Sequence, residues 1–230
     1  MSVRPADAAT ERPAVAATDR VTHRAPTGRA DHTGSMPPSA PPPLPPWPEV
    51  APTHDGVRLR QFRDEDVAML VDLAGDPYLA LIGSLPARAT REQALEFLTR
   101  QHGRLREGAG YSFCIARIDD DLAVGTTGLW LRRLDEGLGS VGYAVAPAQR
   151  GNGHARSAVL AICEHAGSIT GLQELEAFVE PWNLASRRTI EGAGFRDRGQ
   201  QTHPRNVAEP PVPMVRYTRQ VAAEEPTGRR

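Results

Sequence analysis

Val145-Ala146-Pro147-Ala148-Gln149-Arg150-Gly151-Asn152-Gly153-His154-Ala155 is the stretch whose residue types and order could do chemistry. An apolar, strand-like run ends at Val145. Pro147 and two glycines then make a tight loop, and an amphipathic helical pattern begins at once. A helix start leaves unpaired backbone N–H groups and a partial positive charge of about half a unit. Gly151 and Gly153 carry no side chain that could keep an anion from those groups, so the segment predicts a pyrophosphate site built from backbone dipoles. Arg150 can add a charge-assisted bond. The same glycines also simply permit a tight turn. A dinucleotide-binding turn does not fit, because Arg156 stands at the third glycine position and no opening strand and turn start a repeated βαβ half.

Composition narrows the chemistry further. All 27 basic residues of the 230 are arginine, and there is no lysine. A phosphate-binding P-loop, a pyridoxal Schiff base, a protein kinase and a Ser-x-x-Lys acyl enzyme each need a lysine and are excluded. A net charge of −1 argues against nucleic acid as a partner. The chain contains no apolar run of ~18 residues, so no membrane span is expected. Its start lacks the apolar core of a secretory signal, which points to the cytoplasm. Cys114 and Cys163 lie in apolar stretches without a Cys-x-x-Cys partner; they read as buried thiols, with no disulfide and no metal.

The elements that must position the loop lie in one domain. Residues 1–53 hold 12 of the 21 prolines and show no apolar periodicity, so they read as a disordered Pro/Ala-rich tail. Residues 220–230 read as a polar C-terminal tail. Between them, at 54–219, a strand at Val57–Phe62 precedes a helix capped by Asp64. Thr90 and Gln93 fit a capping box that starts a second helix. Strands follow at 111–118, 123–131 and 140–145, then a helix at about 152–167, a strand at 175–179 and a helix at about 184–193. Phe195–Gly199 and Pro213–Thr218 suggest a closing hairpin. The order βααβββαβαββ predicts an α+β, layered fold: a mixed sheet of about six or seven strands with helices on both faces.

Arg150-Gly151-Asn152-Gly153-His154-Ala155 resembles the Arg/Gln-x-x-Gly-x-Gly/Ala signature of the GCN5-related N-acetyltransferases (GNAT). A second block, Asn183-Leu184-Ala185-Ser186-Arg187-Arg188 through Gly194-Phe195, is similar to that family's Asn-x-x-Ser-x-Arg…Gly-Phe segment. The opening Val57-Arg58-Leu59-Arg60…Asp64-Glu65-Asp66 is of the type seen in the branch that acetylates ribosomal-protein N-termini, the RimJ and RimL-like enzymes. The resemblance implies the GNAT fold and acetyl-CoA as cosubstrate, lying between the strands that end at Val145 and Val179. Its pyrophosphate would meet the amides of Arg150, Gly151, Asn152, Gly153, His154 and Ala155. Its pantetheine would pair with the backbone of Tyr143, Ala144 and Val145, and Asn183 would contact the same arm.

Acetyl transfer needs a neutral amine held about 3 Å from the thioester carbon, a donor for the developing oxyanion and a proton for the leaving sulfur. The resemblance places Ser186 on the sulfur side; the competing reading is that Ser186 only caps its helix together with Asn183. Relatives often carry a basic carboxylate two residues before Gly142-Tyr143, where this chain has Ser140. Glu180 or a water chain is left as the base. The expected activity is therefore transfer of an acetyl group to a primary amine, either a protein N-terminal α-amine or a small molecule. The alternatives are a non-catalytic acyl-CoA sensor of the same fold and an interaction protein working through its Pro-rich tail. A homodimer is compatible with all of them.

Overall fold

A computed structural model describes residues 44–205 and 210–222. Eight strands form one sheet: β1 (Thr53–His54), β2 (Val57–Arg60), β3 (Gly110–Arg117), β4 (Ala123–Arg133), β5 (Leu138–Val145), β6 (Glu174–Val179), β7 (Arg196–Pro204) and β8 (Pro211–Gln220). They lie in the order β1-β2-β3-β4-β5-β6-β8-β7. The helices are α1 (Val67–Ala74), α2 (Pro77–Ile82), α3 (Arg91–Gly103), α4 (His154–Ala166) and α5 (Leu184–Gly192). The expected order of elements is present. The sheet exceeds the expected six or seven strands through β1, whose two residues are too short to show a period.

Strand alternation divides the core into two layers. Val141, Tyr143 and Val145 of β5 join the cluster under α4 and α5. Ala144 and Ala146 join the one under α1, α2 and α3. The Thr90 and Gln93 capping box forms in both directions, at 3.3 and 2.9 Å. The expected cap at Asp64 is corrected: residues 64–66 are a 3-10 turn, and the buried Asp66 carboxylate accepts from the Arg63 amide at 2.8 Å while it pairs with Arg60.

The N-terminal boundary is corrected as well. Leu44 and Trp47 pack on the core. The Trp47 ring lies 4.8 Å from that of Phe113, and the Tyr111 hydroxyl donates to the Pro45 carbonyl at 2.7 Å. A proline-rich backbone has carbonyls with no internal partner, and one indole buries enough surface to hold such a segment. The remainder of the expected tail, 1–43, lies outside the described residues. At the other end Gln220 closes β8, Val221 packs on the core and 223–230 lie outside the described residues.

One local feature creates the site. β5 and β6 are the only parallel neighbours among the described strands, and they pair only at Leu138↔Glu174, Gly139↔Leu175 and Ser140↔Glu176. β6 pairs along its whole length with β8, and β5 pairs with β4 as far as Val145. From Val141 to Val145 the edge of β5 that faces β6 therefore has no strand beside it, and the two strands splay.

Candidate functional site

The splay opens into a cleft of about 790 Å³ whose walls include Arg150, Gly153, His154, Trp182, Leu184 and Thr189. On the β5 side, Gly151 and Gly153 adopt φ of 81° and 78°, the left-handed region that side chains avoid. Nothing stands within 4 Å of where a Cβ would project from either. Gly153 occupies the N-cap of α4 and no side chain caps that end, so the first amides of the helix face an open cradle. This cradle and the free β5 edge fit a pyrophosphate joined to an amide-bearing arm, the chemistry of coenzyme A.

The Arg150 side chain is placed differently from its expected phosphate contact. Its Nε donates to the Val145 carbonyl at 3.0 Å and its Nη2 to Asp76 Oδ2 at 2.7 Å. It braces the loop and stays clear of the cradle above the glycines. His154, half-buried at the start of α4, is pushed below its ordinary pKa of 6.5 by burial and by the Arg117 charge.

The β6 side is built from side chains that satisfy one another. Asn183 is buried and caps α5, its Oδ1 accepting from the Ser186 amide at 3.1 Å. Ser186 is fully buried, with its Oγ 2.9 Å from the Tyr143 hydroxyl. Neither lines the cleft; both expected roles, pantetheine contact and sulfur-side donor, meet a side chain turned inward. Glu180 is also buried, and four donors meet its two oxygens. Arg205 Nε and the Tyr78 hydroxyl reach Oε1, and Arg205 Nη2 and the Trp182 indole reach Oε2. Burial alone would raise the Glu180 pKa, but the hydrogen bonds from Arg205 and Trp182 outweigh it and hold the group below the usual carboxylate range. A carboxylate with every lone pair engaged is a weak proton acceptor. Ser140, in the place of the expected carboxylate, sits 3.4 Å from buried Glu176, which is itself held by Arg133 and Arg216.

The sequence reading missed Asp76. It caps α2 through the Tyr78 amide at 2.9 Å and holds Arg150 with its other oxygen, while Tyr78, two residues on, reaches Glu180. The first turn of α2 thus ties the two walls of the splay together. An Asp-Pro pair is an N-cap followed by a first-turn proline, and that signal was present in the sequence.

A model of the family described as acetyltransferase (GNAT) domain matches residues 57–196, well over half of the chain. The chain belongs to the GNAT acetyltransferases. It is 25% identical over 141 residues to the uncharacterized N-acetyltransferase p20 of Bacillus licheniformis, covering 61% of this chain and 79% of that one. Its fold is that of Mycobacterium smegmatis RimJ in complex with a CoA disulfide (TM-score 0.60, 22% identity, 71% of this chain and 81% of that chain). It is also that of RimL, a ribosomal L7/L12 alpha-N-protein acetyltransferase in complex with coenzyme A (TM-score 0.64, 14% identity, 76% and 100%). The protein is an acetyl-CoA-dependent acyltransferase of this family. Among the described residues, no helix is long and apolar enough to cross a membrane.

Proposed function

We propose that this GNAT enzyme acetylates the N-terminal α-amine of a protein in the cytosol. The observation that carries the acetyl-CoA half is the uncapped, side-chain-free cradle at Gly151 and Gly153 beside the free edge of β5. The acceptor half is supported by the likeness to RimL and RimJ. Acetyl-CoA supplies an activated thioester. The chain's part is to hold it by the amides of 150–155 and by the β5 edge, and to offer a backbone N–H near Val145 where negative charge develops. We assign proton acceptance from the amine to water, because the lone pairs of Glu180 are already engaged and Ser140 cannot ionise. Catalysis then rests mainly on positioning, which can supply a large share of such a barrier.

Release of free CoA, followed with a thiol reagent, tests this against N-terminal peptides and a panel of small amines. The expected result is turnover with peptides bearing a free α-amine and none with the same peptides blocked. CoA binding without turnover of any amine would favour the acyl-CoA sensor, and exclusive turnover of small amines would replace the peptide acceptor.

A further inference from the structure

On the face of the sheet opposite α4 lies a second cavity, of about 70 Å³. Its origin is in the strand register. Gly128 of β4 and Gly142 of β5 are directly paired. Their neighbours Leu129, Val141 and Tyr143 point into the core under α4, so the two glycines face the other layer and leave a patch of sheet without side chains. Trp130 lies over this floor; a Cβ on Gly128 would meet its ring at 2.4 Å. Leu79, Ile82, Leu85 and Phe97, all buried, form the roof. The polar lining is partly spoken for, since the Ser112 hydroxyl donates to Gln101 at 3.0 Å. Gly83, Ser84, Thr126 and Trp130 are the half-exposed residues of the lining and form the mouth.

We propose that this pocket receives a compact apolar group borne by the amine substrate close to its amino nitrogen: for a peptide acceptor, an aliphatic first side chain. The inference rests on the acetyltransferase reading and adds a substrate class to it. The roof and the Trp130 wall offer contact to alkyl carbon and no carboxylate to a cation. Size sets an upper limit, because one water occupies roughly 10–15 Å³ on this measure, so only a few heavy atoms fit. Direction identifies the carrier. The pocket lies under α2 and α3, on the face away from the Gly151–Gly153 cradle, so the occupant arrives with the acceptor and not on the acyl chain. The floor continues along β5 into Ala144, which brings that occupant toward the splay.

The test compares peptides that differ only in their first residue: Val, Gly, Asp, Lys and Phe. Wild-type protein should show kcat/KM at least 10-fold higher for Val than for Asp or Lys. Ser84→Leu, which fills the mouth, should lower the Val value at least 10-fold and leave the Gly value within about 2-fold. Trp130→Ala should raise the Phe value relative to Val. CoA affinity by calorimetry should be unchanged in both variants, and equal melting temperatures would show intact folds. If no amine turns over, calorimetric binding of the Val peptide to the CoA-loaded protein still reads the pocket: tenfold weaker binding to Ser84→Leu supports it, and equal or absent binding overturns it. A preference for Asp would assign the subsite to Arg104, which also lines it, and overturn the proposal. So would a Ser84→Leu effect that appears with butyryl-CoA and not with the peptide.

Discussion

The two walls of the splay solve the same problem by different means. The β5 wall presents backbone: amides at the start of α4, two glycines in left-handed geometry and an unpaired strand edge. The β6 wall presents side chains, and Glu180, Trp182, Asn183 and Ser186 are bonded to one another or to Tyr78, Tyr143 and Arg205. A backbone donor is fixed by the fold and has nothing to rearrange when an anion arrives. A side chain already satisfied by its neighbours would have to give up a hydrogen bond before it could bind or react. On the proposed reading the β5 wall binds and the β6 wall supports. The first turn of α2 fastens one to the other through Asp76 and Tyr78.

The largest effect that could break this comparison is expected at the loop. Gly153→Glu places a side chain and a negative charge in the open cradle, at a position whose φ of 78° already disfavours a side chain. CoA affinity should fall about 100-fold, roughly 2.7 kcal/mol. Melting should fall much less, because the site is exposed. Calorimetry giving wild-type affinity would show that the amides of this loop do not hold the pyrophosphate.

Glu180→Gln comes next. It removes the charge that Arg205 and Trp182 stabilise, at a cost of about 2 kcal/mol at pH 7. The sign with pH follows from the shift. A carboxyl whose pKa is lower in the folded state than in the unfolded state contributes stability above its unfolded value, about 4.3 for Glu, and loses it as pH falls through the folded value. Denaturation of wild type and variant should therefore differ at pH 7 and converge as pH falls through the folded value of Glu180. A constant difference across that range would mean that the charge of Glu180 is not what the neighbouring donors stabilise. Loss of turnover with unchanged stability would restore Glu180 as the base.

The same contrast explains what could be read from the sequence. A glycine-rich turn before an apolar period of 3.6 has a local cause, so the cradle at 151–153 and the order of elements were legible. The environment of Ser186 was not, because its partner Tyr143 is 43 residues away and meets it only when β5 and α5 pack. The four donors around Glu180 come from Tyr78 in α2, from Trp182 and, twice, from Arg205, and no spacing in the chain announces that meeting. The tail boundary failed for a related reason. Proline content gives no sign that Trp47 finds Phe113, a contact across 66 residues. Periodicity reports faces; it does not report which faces meet.

Ser186 gives the smallest effect and the sharpest division between support and chemistry. Its hydroxyl is fully buried, hydrogen-bonded to Tyr143 and absent from the lining of the cleft. Ser186→Ala removes one buried hydrogen bond and leaves the Tyr143 hydroxyl with the Ser186 carbonyl, 3.2 Å away, as a remaining acceptor. The Asn183 cap is untouched, because it uses the Ser186 amide. The expected cost is about 1 kcal/mol of stability, with kcat within about 2-fold of wild type. A proton donor to the departing sulfur would behave in the opposite way. Its loss would lower kcat roughly 10- to 100-fold, the lower part of the range for general acid–base catalysis, and leave KM for acetyl-CoA nearly unchanged. Tyr143→Phe separates the cases further. If Ser186 is structural, both variants lower the melting temperature, and the double variant costs less than the sum of the singles because they share one contact. If Ser186 is the acid, kcat should fall in Ser186→Ala alone. A slow Ser186→Ala enzyme with wild-type stability would place chemistry on the β6 wall.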